Sequence, residues 1–317
     1  MSTSGGTRAI VAALLANSGI AVTKFIAFLL TQSSSMLAES IHSVADAGNQ
    51  GLLLLGGRRA QRGASDKHPF GYGRERYIYA FIVAIVLFSV GGLFALYEGW
   101  HKLQDPHPIE AWHWVPVVVL LAAIVMESFS FRTAIVESNH VRGRRSWKEF
   151  IRRAKAPELP VILLEDFAAL VGLVFALFGV SLTLITDNGV WDGIGTLMIG
   201  GLLVTVAVVL AVETKSLLLG ESATEEHVLA IERALAAGED IGRVIHLRTL
   251  HMGPEELLVA AKISVSHDES AGSIAQAIDA AEARVRAAVP IARFIYLEPD
   301  LYVDQPAGAA VPGPDGS

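Results

Sequence analysis

Long apolar stretches alternate with short polar segments over the first two thirds of the chain. The core of a lipid bilayer needs about 20 apolar residues per helix. The pattern therefore predicts six membrane-spanning helices, at residues 9–31, 35–57, 77–100, 113–135, 160–186 and 191–214. The first stretch is longer than the core of a signal peptide, about 7–15 residues, so we interpret it as a retained span.

The pattern changes after Leu219. Ser222, with Glu225 three residues on, predicts a capped helix to Ala237. Two strands at 243–252 and 256–266, a helix at 271–288 and a strand at 292–303 follow. This α-β-β-α-β order predicts a small ferredoxin-like α+β domain with an antiparallel sheet. The predicted organisation is an N-terminal tail 1–8, a transmembrane domain 9–219, a cytoplasmic domain 220–304 and a disordered tail 305–317.

Composition agrees with a membrane all-α six-helix bundle. Of the 317 residues, 52% are hydrophobic and 18% are charged, whereas soluble proteins carry about 25% charged residues. The chain has no cysteine, which excludes disulfides, thiolate zinc sites and thiol catalysis. Any metal must be held by His, Asp, Glu, Asn or backbone oxygens.

Charge predicts the orientation. Lys and Arg concentrate in the loops after the second and fourth predicted spans, so these loops and both termini are predicted to be cytoplasmic. Residues 221–317 contain 16 acids and 7 Lys or Arg, a net charge of -9. Such an acidic soluble part argues against nucleic acid as a partner.

Four polar residues of the second span form one stripe. Glu39, His42, Asp46 and Asn49 are spaced by three, four and three residues, which places them within about 80° on a helix. One interpretation is a stripe that joins helices by hydrogen bonds. The other is an ion site, which Glu165 and Asp166 in the fifth span favour, because ionisable residues in lipid are costly and usually functional.

Three further groups leave alternatives open. Adjacent Glu165 and Asp166 point about 100° apart, so one is expected to be a ligand and the other a supporting group. Glu127 in the fourth span is either a partner for Lys24 or a serine, or part of an ion pathway. His68, in a loop rich in glycine, is either a weak metal ligand or part of a packed turn.

Two motifs resemble the cation diffusion facilitator family. They are SMLAESIHSVAD from Ser35 to Asp46 and HPFGYGRE from His68 to Glu75. Asn49 with Gln50, EDFAALVG from Glu165 to Gly172, and LHMGP from Leu250 to Pro254 resemble the branch of the mitochondrial-type zinc transporter relatives. The resemblance extends over about residues 8–303, nearly the whole chain.

The resemblance implies a homodimer that exchanges a cytoplasmic divalent cation for protons. It implies His42, Asp46 and Asp166 as ligands, whereas the usual fourth ligand position holds Ile162. Glu165, Asn49 or water would complete the set, and Glu39 and His68 are weaker candidates. This oxygen-richer set also suits manganese or iron. The family's cytoplasmic zinc positions fall on Ile245, Ala261, Tyr296 and Glu298, so no zinc cluster is expected there.

The predicted function is therefore efflux of a divalent metal, zinc first and Mn, Fe or Co as alternatives, by an integral multi-pass protein of the plasma membrane. The C-terminal domain is expected to regulate and dimerise. We expect no prosthetic group and no enzymatic activity. An intramembrane metalloprotease is disfavoured because no His-Glu-x-x-His motif occurs. A proton-coupled carrier of organic cations and a membrane metal sensor are the rival hypotheses.

Overall fold

A computed structural model describes residues 18–109, 112–238 and 241–301. The chain divides into two compact units, one ending at Leu219 and the other beginning at Gly220. Both predicted tails and the start of the first predicted span, residues 9–17, lie outside the described residues.

The first unit is helical. Its described helices are α1 Ser18–Thr31, α2 Ser34–Ala60, α3 Glu75–Gln104, α4 Trp114–Arg142, α5 Trp147–Arg153, α6 Glu158–Thr186 and α7 Val190–Leu219. The short α5 lies in what the sequence analysis treated as a basic loop. Its N-cap is Ser146, whose hydroxyl accepts from the Glu149 amide. Phe150 anchors it by burying its ring.

The outer surface of this unit is apolar and suited to contact with lipid. Within the described ranges, four helices, α3, α4, α6 and α7, are long and apolar enough to cross a membrane. On α4, Val125 is 57% exposed and Phe129 is 66% exposed. An apolar surface of this kind is stable in hydrocarbon and would aggregate in water.

Glycines let α3 and α7 pack closely. A Cβ atom on Gly200 would lie 2.8 Å from the backbone nitrogen of Leu96, and one on Gly99 would lie 2.8 Å from that of Leu197. Small residues at helix contacts allow the backbones to approach within dispersion range, which is what holds helices together in lipid. α3 also contains a π-helical stretch, Leu87–Leu93, in which the helix is wider.

The second unit contains the predicted elements, with one different cap. They are α8 Glu225–Ala236, β1 Val244–Gly253, β2 Glu256–Ser264, α9 Ala271–Ala288 and β3 Ala292–Asp300. The cap predicted at Ser222 is wrong. Thr224 has the extended backbone of an N-cap and its side chain accepts from the His227 amide, so the helix begins at Glu225.

The sheet has the order β1-β2-β3. β1 and β2 are antiparallel, but β2 and β3 are parallel, so the predicted antiparallel sheet is wrong for the second pair. The reason is α9, a crossover helix that returns the chain to the starting end of β2. Leu257, Val259 and Ile263 of β2 are fully buried against the two helices.

Candidate metal site

The polar stripe of α2 faces the interior of the helical unit. Glu39 and Asn49 are 0% exposed and His42 is 1% exposed. The Asp46 side chain is 15% exposed. These groups cannot be solvated by hydrocarbon, so their partners decide what the stripe does.

His42 and Asp46 are adjacent, one helical turn apart. His42 Nε2 lies 3.5 Å from Asp46 Oδ2, beyond a good hydrogen bond. Among the described residues, neither His42 ring nitrogen nor Asp46 Oδ1 has a hydrogen-bond partner. A neutral imidazole and a carboxylate at this spacing are ordinary ligands of a divalent metal.

Lys24 of α1 joins this region to Glu39. Its ammonium donates to Glu39 Oε2 at 3.0 Å and to Ser43 Oγ at 2.8 Å. Both ion-pair partners are almost completely buried. The sequence offers Glu127 as a partner of Lys24, but the structure pairs Lys24 with Glu39 instead. Glu39 is therefore already engaged by a cation.

The two acids of α6 point to different helices. Glu165 Oε1 accepts a 2.7 Å hydrogen bond from Asn49 of α2. Asp166 Oδ2 accepts a 2.8 Å hydrogen bond from Ser130 of α4. Their adjacency on one helix requires this divergence. Glu165 thus touches the stripe through Asn49, while Asp166 has a serine partner.

Electrostatics connects Asp166 to the stripe nonetheless. The charge of Asp166 acts on His42 and on Asp46, and Glu127 interacts with both as well. Across the part of the chain that the structure describes, no three His, Asp or Glu side chains converge closely enough to hold a metal ion. The groups share one region of the interior without forming a closed coordination shell.

A pocket reaches Asp46 from the side of α1 and α4. It is lined by Ile20, Ser43, Asp46 and Glu127. Two carboxylates therefore line this pocket, Asp46 from α2 and Glu127 from α4. Glu127 thus lies beside the candidate ligand Asp46, although Lys24 donates its hydrogen bonds to Glu39 and Ser43.

His68 lies apart from these groups, in the loop between α2 and α3. It exchanges two backbone hydrogen bonds with Ser65, and its ring packs on Tyr72 with centroids 4.6 Å apart. The Ser65 and Tyr72 hydroxyls are 3.3 Å apart. These contacts favour the packed turn over a metal ligand.

Two features of the site region were missed by the sequence analysis. The π-helical stretch of α3 passes beside the imidazole, since a Cβ on Gly91 would lie 3.9 Å from His42 Nδ1. Asp192, at the start of α7, is 0% exposed and binds the first residues of α2. For Asp192, the signal available in the sequence was its carboxylate together with the run of three serines from Ser33 to Ser35.

Of the four residues at the family's cytoplasmic zinc positions, only Glu298 has an acidic side chain. It lies 3.2 Å from Lys262, which also bonds Asp300 at 2.8 Å. The hydrogen bond to Asp300, and then the one to Glu298, raises the pKa of Lys262. The same Lys262 bond lowers the pKa of Asp300. Glu298 is thus part of an exposed ion-pair group.

The first unit matches a known family of membrane proteins. Residues 10–219 match the cation efflux transmembrane domain. The mouse proton-coupled zinc antiporter SLC30A9, mitochondrial, is 34% identical over 226 residues, which are 70% of this chain and 39% of that protein. Metal tolerance protein C4 of Arabidopsis thaliana is 27% identical over 81% of this chain and 56% of its own length.

A bacterial protein, zinc transporter ZitB of Pectobacterium atrosepticum, is 31% identical over 38% of this chain and 36% of its own length. The chain thus spans about two fifths of the mammalian relatives and about half of the plant one. The family match covers the helices that carry the stripe, the acids of α6 and the pocket. This chain is therefore an integral multi-pass membrane protein of the cation efflux, or cation diffusion facilitator, family, in the branch of the mitochondrial-type zinc antiporters.

Proposed function

We propose that this chain exports a divalent metal ion, zinc first, from the side of the membrane that carries the basic loops, in exchange for protons. One observation carries the proposal. His42 and Asp46 keep ligand atoms without hydrogen bonds inside a membrane domain, as far as the described residues extend. Buried polar atoms are nearly always paired, so a missing partner of opposite charge is a physical explanation for these.

The proposed ligands are His42, Asp46 and Asp166, with Glu165 or Asn49 completing the set. Asp166 would leave the Ser130 hydroxyl to join the metal, and whichever of Glu165 and Asn49 is not a ligand would support the other through the hydrogen bond between them. A doubly charged substrate offsets the repulsion between carboxylates that otherwise keeps them apart. Metal and proton compete for the same lone pairs, which supplies the coupling.

Zinc is the preferred substrate because the relatives named above are described as a zinc antiporter and a zinc transporter. Manganese or iron is the second candidate. It is favoured by a set with one imidazole and otherwise oxygen donors, and by the apolar Ile162 at the usual fourth position. An organic-cation carrier is disfavoured, because none of the described residues that line the pocket at Asp46 is aromatic.

The rest of the architecture belongs to the same proposal. We include six spans, formed by α1 to α4, α6 and α7, with both termini on the basic-loop side. The second unit would be a ferredoxin-like domain that regulates and dimerises the carrier. The plasma membrane is the location predicted from the sequence, and a mitochondrial location is the alternative, because the mammalian relatives are named as mitochondrial proteins. No enzymatic activity is proposed.

The test is transport by the purified chain in proteoliposomes. Zinc, manganese, iron, cobalt and cadmium are offered singly under a pH gradient, and metal uptake and proton release are both recorded. His42→Ala and Asp166→Ala are expected to reduce zinc uptake at least about a hundredfold, since each removes a ligand. His140→Ala, an exposed imidazole near the end of α4, is the matched control and should transport normally. Full transport by both site variants would refute the assignment.

A further inference from the structure

A carboxylate at the beginning of α7 holds the beginning of α2. Asp192 Oδ2 accepts from the Ser34 amide at 2.7 Å and from the Ser34 hydroxyl at 3.2 Å. Asp192 Oδ1 accepts from the Ser33 hydroxyl at 2.9 Å and from the Ser35 amide at 3.2 Å. Two of the four donors are free N–H groups of a helix N-terminus, where a negative charge is most favourable.

A second set of bonds runs between the same two helices. The Ser35 hydroxyl donates to the Asp192 carbonyl at 3.1 Å. The Thr196 hydroxyl lies 3.0 Å from the Ser34 hydroxyl and 3.1 Å from the Ser35 hydroxyl. All these residues are at most 1% exposed. With water excluded, a broken bond here has no replacement, so the arrangement is stiff.

This cluster, Ser33 to Ser35 with Asp192 and Thr196, is hereafter called the serine clamp. It lies where α2, α6 and α7 meet. A Cβ on Gly195 would be 2.9 Å from the Phe175 carbonyl oxygen of α6 and 3.4 Å from Ser35 Oγ of α2. The clamp therefore fixes the position of α2 relative to α6, the helix that carries Glu165 and Asp166.

The turn before the clamp is fixed as well. Gln32 has a φ of 53°, a left-handed conformation that a glutamine seldom adopts. Its carbonyl oxygen accepts a 3.3 Å hydrogen bond from Lys102 at the end of α3. The start of α2 is thus held from two sides, by α3 and by α7.

His42 lies eight residues beyond Ser34, about 12 Å along the helix. A helix moves as a rigid element over that length, so its end position determines where the side chain of His42 points. We propose that Asp192 is a positioning residue, which through the serine clamp sets the rotation and depth of α2 and so the placement of His42 and Asp46 opposite α6. This inference rests on the proposed metal site.

Transport kinetics separate positioning from general support. Asp192→Asn keeps the shape and removes the charge, and we expect the half-saturating zinc concentration to rise about tenfold with a smaller change in maximal rate. Thr196→Val removes one hydroxyl and should give a smaller shift in the same direction. Asp187→Asn, an exposed acid just after α6, is the matched control and should match the native chain. His42→Ala, run in parallel, abolishes saturable uptake if the metal site itself is correct.

The absence of cysteine in the chain allows a second, metal-free readout. Ala38→Cys and Leu53→Cys place thiols at buried positions near opposite ends of α2. Combined with Asp192→Asn, the thiol at 38 is expected to react with a maleimide severalfold faster, while the one at 53 stays protected. An unchanged half-saturating concentration overturns the proposal, and so does equal labelling at both positions. The labelling result stands whether or not His42 proves to be a ligand.

Discussion

The buried side chains of Lys24 and Glu39 show how one cation organises an acidic interior. Lys24 donates to Glu39 and to Ser43, the latter next to His42 in sequence. Asp46, Glu127 and His42 all experience the charge of Lys24. The Lys24 ammonium thus offsets part of the carboxylate charge in this region. It does so without using the lone pairs of His42.

Substitution of Lys24 tests this ion pair. Lys24→Met leaves Glu39 charged and unpaired, which should destabilise the unit by about 3–5 kcal/mol, because a lone buried charge is much worse than a buried pair. The double variant Lys24→Met with Glu39→Gln should recover most of the loss. Thermal unfolding in detergent, followed by size-exclusion chromatography, measures both. Lys215→Met, at an exposed position of α7, controls for losing a lysine; a double variant no more stable than Lys24→Met would contradict the argument.

The sequence could predict the stripe on α2, because helical spacing alone puts Glu39, His42, Asp46 and Asn49 on one side. It could also predict that Glu165 and Asp166 diverge. It could not predict their partners, Asn49 and Ser130, since these contacts depend on how α2, α4 and α6 are rotated against each other. The role of Asp192 was missed for the same reason, because its partners are about 160 residues away in the chain.

At the scale of the helix, the contact between α3 and α7 depends on glycines, which have no side chain to keep the two backbones apart. Gly200 faces the backbone of Leu96, while for its neighbour Gly201 no described atom lies within 4 Å of an added Cβ. The two glycines therefore have opposite requirements, although they are adjacent and share one helix. Helix propensity favours alanine at either position, so packing alone distinguishes them.

A pair of alanine substitutions makes this measurable. Gly200→Ala should destabilise the helical unit by about 1–3 kcal/mol, because a methyl group cannot enter a backbone contact without moving α3. Gly201→Ala should be neutral or stabilise by up to about 1 kcal/mol. Melting curves of the two variants in the same detergent provide the comparison. Equal melting temperatures would show that the helices separate freely at this contact.

Element prediction succeeded where periodicity is strong and failed where tertiary contacts decide. The long apolar helices and the α-β-β-α-β order of the second unit were predictable from hydrophobic spacing. The parallel pairing of β2 with β3 was not recognised, because strand direction is set by the path of α9 rather than by the residues of β3. Likewise α5 is too short for periodicity to separate it from a basic loop.

At the scale of the whole molecule, charge is divided between the two units. Residues 221–317 carry a net charge of -9 within a total of -7, so two copies of the second unit repel each other at low ionic strength. Tyr296, 57% exposed on β3, adds an aromatic surface of the type found at protein interfaces. A dimer built through this unit would thus depend on cations that reduce the repulsion.

Light scattering of the full chain in detergent tests this dependence. Magnesium or zinc should increase the dimer fraction at a fixed protein concentration more than potassium does at matched ionic strength, since divalent ions bridge carboxylates. Tyr296→Asp should oppose the effect by adding a further negative charge to the exposed face. A single monomeric mass in every condition would remove the dimer from the proposal.

The π-helical stretch of α3 has a consequence for comparing relatives. A π turn holds one residue more than an α-helical turn, so everything after Leu93 is rotated by about 100° relative to an unbroken helix. Leu96 and Gly99, which meet α7, both follow it. A homologue whose helix lacks the π turn has one residue fewer between the start of this span and the residues that contact α7. The correct alignment with such a homologue therefore contains a one-residue gap within a transmembrane helix.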